Sequence, residues 1–437
     1  MKKRALSIIL ALALLIGILP IQANAATLDN GIMYEVYEDH VEIIGYTGSD
    51  KKVVIPAEIE GLPVTSIGDS AFRGCSSLTS IVIPDSVTFI SDYAFDDCSS
   101  LISIVIPDGV TSIGRAAFRD CSSLTSIIIP DSVTSIDRDA FSNCSSLTSI
   151  DISCGITSIS DYTFSWCTSL TSIVIPDGVT SIGDYAFDAC FSLASIVIPD
   201  GVTSIGDYAF DACTNLTSIV IPDSVTSIGD YAFYGCETLS SVVIPDSVTY
   251  IGDEAFMYCS SLTSIDLPDG ITSIGKYAFS ICSSLTSIVI PDGVTSIGEY
   301  AFFWCDSLSD IVIPDSVTSI GHHAFMKSER LTTIYFEGDA PKLGEYVFSY
   351  ITATAYYPAG NATWTADAMQ DYGGNITWVA YDPNAPVNPF TDVPAGCWYE
   401  APVLWALENG ITDGTSATTF SPGNQCLRAH VVTFLWN

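Results

Sequence analysis

Apolar and polar positions follow two rhythms along most of this chain, and the pair of rhythms returns every 23 residues. In the stretch Gly206 to Ile228, GDYAFDACTNLTSIVIPDSVTSI, the apolar positions are Ala209, Phe210, Cys213, Leu216, Ile219, Ile221, Val225 and Ile228. Phe210 and Cys213 are three apart and Ala209 and Cys213 four apart, which predicts a short helix or a 3₁₀ turn over DYAFDAC. Ile219-Val220-Ile221 then alternates as a strand does. Pro222 and Asp223 break it, and Ser224, or Gly in its place, completes a turn. A fixed period in the twenties predicts a solenoid, whose coils bury their apolar faces only against one another.

Cysteine keeps the period at Cys75, Cys98, Cys121 and onward to Cys305, and phenylalanine keeps it from Phe72 to Phe348. Residues 67–334 read as the regular array. The coil carrying Asp151 and Cys154 departs most, since Ser153 replaces its proline, and Ser328 stands for cysteine in the coil after Cys305. Residues 27–66 read as an N-terminal cap and first coil, with a hairpin from Ile32, Tyr34 and Val36 to Val41 and Ile43. Residues 335–381 read as a C-terminal cap with extra strands, residues 382–389 as a Pro-rich linker, and residues 390–437 as a small helical unit. In that unit Val403, Leu404 and Leu407 have helical spacing up to Asn409-Gly410, and LRAHVVTFLW reads as a second helix.

Charge narrows the partners. Lys plus Arg is 14 and Asp plus Glu is 50, a net charge of −36, which argues against nucleic acid or anionic membrane. Residues 1–25 open with MKKR, continue apolar from Ala5 to Leu19 and end Ala23-Asn24-Ala25, the pattern of a secretory signal peptide. An exported chain and no stable membrane insertion after cleavage are therefore expected. Export would favour disulfides, yet eleven of the 14 cysteines fall in one inward column. They are read as small buried thiols packed in a ladder, although coils about 4.8 Å apart do not exclude bridging by distance.

Three columns carry candidate chemistry. On the strand face, expected to be concave, Ser218 and Val220 point outward beside inward Ile219 and Ile221. The outward column runs Val82, Val105, Ile128, Asp151, Val174, Val197, Val220, Val243, Asp266, Val289, Val312, Tyr335. An exposed valine ribbon is either a docking surface, with Val105, Val174, Val197, Val220, Val243, Val289 and Tyr335 as its contact residues, or a plain strand preference of β-branched residues. A tyrosine column, Tyr93, Tyr162, Tyr185, Tyr208, Tyr231, Tyr277, Tyr300, offers Tyr185, Tyr208 and Tyr231 as an alternative contact surface, against simple packing between coils. The Pro-Asp column, from Asp85 to Asp315, is turn chemistry rather than a calcium site, since no ligand loop accompanies it. No metal or cofactor is expected. There is no G-x-S-x-G, H-E-x-x-H or P-loop, so no enzyme is expected.

The string L-x-x-I-x-I-P-D-x-V-T-S-I-G-x-x-A-F-x-x-C, nearly intact through most coils, resembles the BspA-like leucine-rich repeat family over about residues 30–380. The resemblance implies a β-rich leucine-rich-repeat solenoid on a secreted surface protein, commonly linked to adhesion. The tail resembles an S-layer homology motif through Phe390-Thr391-Asp392-Val393, Trp398-Tyr399, Ala406, Gly410-Ile411, Gly414, Phe420-Ser421-Pro422 and Arg428-Ala429. Such motifs usually come in three copies that bind cell-wall polysaccharide, and one copy is present. That resemblance implies wall-polymer contact by Asp392, Trp398 and Arg428. Leu427 and His430 depart from its usual pattern. The expected function is a non-enzymatic cell-surface adhesin or ligand-binding protein for an extracellular protein or glycan. The alternative is a structural wall or S-layer-associated protein whose array is a spacer.

Overall fold

A computed structural model describes residues 25–152, 154–382 and 400–408. The chain divides into two compact units, one of residues 1–357 and 362–379, the other of residues 358–361 and 380–437. The first is the expected solenoid. Each regular coil contributes a short strand such as Ser218–Val220, a Pro-Asp turn, a second short strand such as Ser227–Ile228, and a tight double turn. Strands stack in parallel with equivalent residues opposite each other: Ser172 faces Ser195 and Val174 faces Val197, and Ile228 faces Ile251. Register cannot slip, because a one-residue shift would turn the isoleucines out to water.

Backbone hydrogen bonds knit the coils on three sides. On the first strand side, the Thr148 N–H donates to the Thr125 carbonyl of the preceding coil at 3.0 Å. On the second, Thr226 N–H donates to Thr203 at 3.0 Å. On the turn side the polarity reverses, and Tyr208, Phe210 and Ala212 donate forward to Asp230, Ala232 and Tyr234.

That third ladder selects between the two expected forms, a short helix and a 3₁₀-type turn. The segment Asp207–Cys213 is a pair of i→i+3 turns, closed by Asp211 N–H to Tyr208 and Cys213 N–H to Phe210, and not a helix. A helix spends its N–H groups along its own axis. Here every second N–H points across to the next coil, which Tyr208 and Ala212 permit by taking left-handed φ of 56° and 53°. Such conformations are costly for residues with a Cβ, and the ladder repeats them from Tyr93 to Tyr346.

The core is one continuous column. Phe72 to Phe325 are all buried at the period, and neighbouring rings stack in near-parallel planes, as Phe187 does on Phe210 at 5.4 Å. Cys98 through Cys305 are buried free thiols, Cys75 is partly exposed, and Cys154 is an exposed free thiol outside the column. Burial pushes the Cys167 and Cys282 thiols up to about 12.

Both ends of the column are closed. The strands Ile32–Val36 and Val41–Tyr46 form an antiparallel hairpin. Val41–Tyr46 continues the second sheet by pairing in parallel with Leu62–Ile67, and the Tyr46 ring lies 5.5 Å from Phe72. At the far end, Thr333–Phe336 pairs in parallel with Thr352–Pro358, beside which Asn375–Tyr381 is added. Trp364 lies 4.9 Å from Phe336 and 5.5 Å from Trp378, with its indole N–H on the Gly338 carbonyl at 3.0 Å. In the second unit a helix spans Glu400–Glu408, with Val403, Leu404 and Ala406 buried. The signal peptide (residues 1–24 of it), the linker beyond Asp382 and the second expected helix lie outside the described residues.

Candidate functional site

The outward strand column is an exposed apolar ribbon. Most first strands repeat exposed, buried, exposed, as in Ser195-Ile196-Val197. Val105, Val174 and Val197 are 79, 78 and 77% exposed, whereas the intervening isoleucines are buried. Val54, Val82, Ile128, Val220, Val243, Val289 and Val312 are exposed with them, so the ribbon extends one coil further toward the N-terminus than the sequence column suggested. It ends at Tyr335, which is 38% exposed and stacked on Tyr356 at 4.6 Å. Asp151 and Asp266 interrupt it, both exposed and both within the strand register opposite Ile128 and Val289.

Hydroxyls flank the ribbon, but most look along the stack. Thr148 Oγ1 donates to the Thr125 carbonyl at 3.1 Å and Thr286 Oγ1 to Thr263 at 3.0 Å. Serines such as Ser172 and Ser195 are exposed on the same face as the valines. The surface therefore offers apolar area edged by hydroxyls. Its chemistry suits burial against an apolar partner face more than proton transfer or ion binding.

The tyrosine column is built differently. Tyr162, Tyr185, Tyr208 and Tyr231 form an unbroken stack with centroids 4.6, 4.4 and 4.3 Å apart and planes within 7° of parallel. Each ring face is covered by its neighbour, which leaves only edges and hydroxyls outward. Partial burial holds the Tyr185 phenol up at about 12. Tyr231 Oη donates to Glu254 Oε1 at 2.6 Å, where glutamate takes the tyrosine position. Tyr185, Tyr208 and Tyr231 thus pack between coils and do not present open ring faces.

Sequence reasoning passed over an arginine cluster beside Tyr93. The guanidinium groups of Arg73, Arg115 and Arg119 lie 5.3, 5.7 and 5.5 Å from its ring centre. Arg73 and Arg119 both reach Asp96 at 2.9 Å, and Asp96 is buried. These charges are matched internally. The signal lay in the sequence: positions 73, 96 and 119 are one period apart and alternate in sign. Asp392, Trp398 and Arg428 lie outside the described residues. Among the described residues no three His, Cys, Asp or Glu side chains are grouped to hold a metal ion, and no helix is long and apolar enough to cross a membrane.

A capped, register-locked stack of 23-residue coils with one strand face open to solvent defines a leucine-rich-repeat solenoid. The family described as BspA type leucine rich repeat region matches residues 51–167, 157–283 and 226–355, and the chain belongs to it. Residues 389–432 match the S-layer homology domain. Among solved structures, a leucine-rich repeat protein from Bacteroides ovatus is 30% identical with a TM-score of 0.64, covering 80% of this chain and 99% of its own. A leucine rich cell surface protein from Faecalibacterium prausnitzii is 36% identical with a TM-score of 0.52, covering 72% of this chain and 94% of its own. No curated protein matches. The two families make this a cell-surface or wall-associated protein, built from modules that typically bind or support rather than catalyse.

Proposed function

We propose that this protein is a non-enzymatic adhesin that docks an extracellular protein along the valine ribbon, with Val105, Val174, Val197, Val220, Val243, Val289 and Tyr335 as contact residues. The single observation that carries the reading is the ribbon itself. A row of aliphatic side chains more than half exposed over successive coils is a standing cost in water unless a partner covers it. An apolar protein surface is favoured over a glycan because the ribbon's own atoms offer no hydrogen bonds.

The test is binding of the purified chain to immobilised extracellular-matrix proteins and mucins. Asp151 and Asp266 already occupy ribbon positions in a folded stack, so Val174→Asp, Val197→Asp and Val220→Asp together should fold. Loss of binding with an unchanged thermal midpoint supports docking there. Unchanged binding refutes it.

The S-layer homology match favours a second reading, in which residues 389–432 hold the protein on wall polysaccharide and the array is a spacer. Retention on purified wall polymer that disappears when residues 390–437 are removed, without any protein partner for the array, would select it. Export through residues 1–25 belongs to either reading.

A further inference from the structure

Between Asp139 and Gly275 the chain holds no lysine or arginine. Cations return in the last coils, and Lys327 and Arg330 make no ion pair within 4.0 Å among the described residues, unlike Lys276, which meets Glu299 at 3.7 Å. Two cations side by side and outside ion-pair distance are unusual on a molecule of net charge −36. They line one depression of about 420 Å³ with Trp304, Asp306, Ser307 and Glu329. A second depression, of about 800 Å³, adjoins it through Glu329 and is lined also by Tyr346 and Tyr350.

The aromatic groups here are more open than in the tyrosine stack, although Lys327 lies over part of the Trp304 ring. Trp304 is 43% and Tyr350 66% exposed. The Lys327 ammonium sits 4.8 Å from the Trp304 ring and 6.0 Å from that of Tyr350, which positions the charge between two rings. The Trp304 indole N–H is fixed on Asp306 Oδ2 at 2.8 Å. The backbone follows the array here. Trp304, Lys327 and Tyr350 occupy one repeat position and have φ of 58, 63 and 67°. The same position is left-handed along the array, at Ala189 and Ala212 and also at Trp166, Tyr258 and Ile281, so the conformation belongs to the third ladder and the side chains alone set this place apart.

We propose that this depression is a second ligand site, separate from the valine ribbon, and that it takes a carboxylated pyranose, a hexuronate or sialic-acid residue of a glycan. The sugar's C–H face lies on Trp304, which lines the depression with both cations. Its carboxylate accepts charge-assisted hydrogen bonds from Lys327 and Arg330. Its hydroxyls donate to the carboxylates of Asp306 and Glu329. An acidic peptide would use the cations but leave those two carboxylates opposed to its own charge. A dense polyanion would meet the acidic surface within a Debye length of about 8 Å. One carboxylate per ring fits both constraints.

The experiment titrates the full chain with trigalacturonate, a glucuronate disaccharide and sialyllactose, and with galactotriose and hexaglutamate as controls, by calorimetry and tryptophan fluorescence. At least one carboxylated sugar should bind, with affinity falling as salt rises, and neither control should. The double variant K327M/R330M and the single variant W304A should each lose about tenfold or more, the scale of one charge-assisted hydrogen bond or one aromatic contact. Both variants are surface changes, and an unchanged thermal midpoint verifies folding. No binding of any carboxylated sugar, equal binding of galactotriose or hexaglutamate, or full affinity in K327M/R330M each overturns the assignment. V174D/V197D/V220D should leave this binding intact, so failure here and failure of the ribbon are read separately.

Discussion

The hydroxyl of Ser328 donates to the carbonyl of Phe302 at 2.7 Å, and this is the bond that each buried cysteine makes with its thiol. Cys213 Sγ donates to Phe187 at 3.3 Å and Cys305 Sγ to Phe279 at 3.2 Å, always to the phenylalanine of the coil before. The column therefore requires a small buried donor, and serine is the natural substitute. It also accepts the Cys305 N–H at 3.0 Å. Cys213→Ser should cost less than about 1 kcal/mol in chemical denaturation, since the hydrogen bond survives. Cys213→Ala should cost about 1–3 kcal/mol, because the Phe187 carbonyl keeps only the Cys190 N–H and a void opens beside it. Equal losses in the two variants would show that the thiol acts by volume alone.

Asp211 supplies a pH dependence. Burial, and then the charge of Asp188 one coil before, raise its carboxyl to about 7, while the Ala212 N–H works in the opposite direction. Asp188 is itself raised by burial, partly offset by the Ser165 hydroxyl at 3.0 Å. Unfolded, the Asp211 group titrates near about 3.9. Between those values the folded chain holds a proton that the unfolded chain has released, so stability falls as pH rises from about 4 through 7. Thermal midpoints should therefore drop from pH 5 to pH 8. Asp211→Asn should raise the midpoint at pH 8 more than at pH 5 and so flatten the slope. An unaltered slope would place the titration elsewhere.

Much of this fold was legible because a repeat states its own geometry. Phe210 and Cys213 recur at one spacing and are buried in every coil where they recur, except at Cys75 in the first marked coil. Ile219 and Val220 alternate, and the structure buries one and exposes the other. What escaped depends on bonds between coils, which no single coil encodes. Tyr208 looks helical beside Ala209 and Phe210 until its N–H is seen to serve Asp230 of the next coil. The depression at Lys327 was hidden for another reason. Trp304, Lys327 and Tyr350 stand one period apart in the sequence, and only stacking brings them together.

Asp96 tests the value of the internal arginine pairing. Its buried carboxylate is held by Arg73 at 2.9 Å and by Arg119 through Nε and Nη2 at 2.9 and 3.0 Å. Removing one partner leaves the other, so Arg73→Ala or Arg119→Ala should each destabilise by about 1 kcal/mol, modest because both guanidinium groups are partly exposed. The double variant strands a buried charge and should lose about 3 kcal/mol or more, beyond the sum of the two. Additivity in a double-mutant cycle by urea denaturation would mean that water replaces the arginines at Asp96.

The strictest test of the stack is a change of length. Removing residues 183–228 joins Ile182 to Gly229, restores the string Ser-Ile-Gly-Asp-Tyr-Ala-Phe and deletes two whole periods. Every ladder then finds an equivalent partner: Tyr162 N–H, which donates to Asp184, meets Asp230 instead, and Phe164 meets Ala232 in place of Ala186. Nearest-neighbour energetics predict a folded, cooperative protein with a smaller denaturant dependence, since less surface is exposed on unfolding. Removing residues 183–217, one period and about half of the next, places the exposed Ser218 where the turn residue Gly183 stood and puts Phe233 out of step with Phe164. That chain should express as an aggregate or unfold without a sharp transition. Circular dichroism and urea titration of the two deletions decide the matter: if both fold alike, register between coils is not what closes the core.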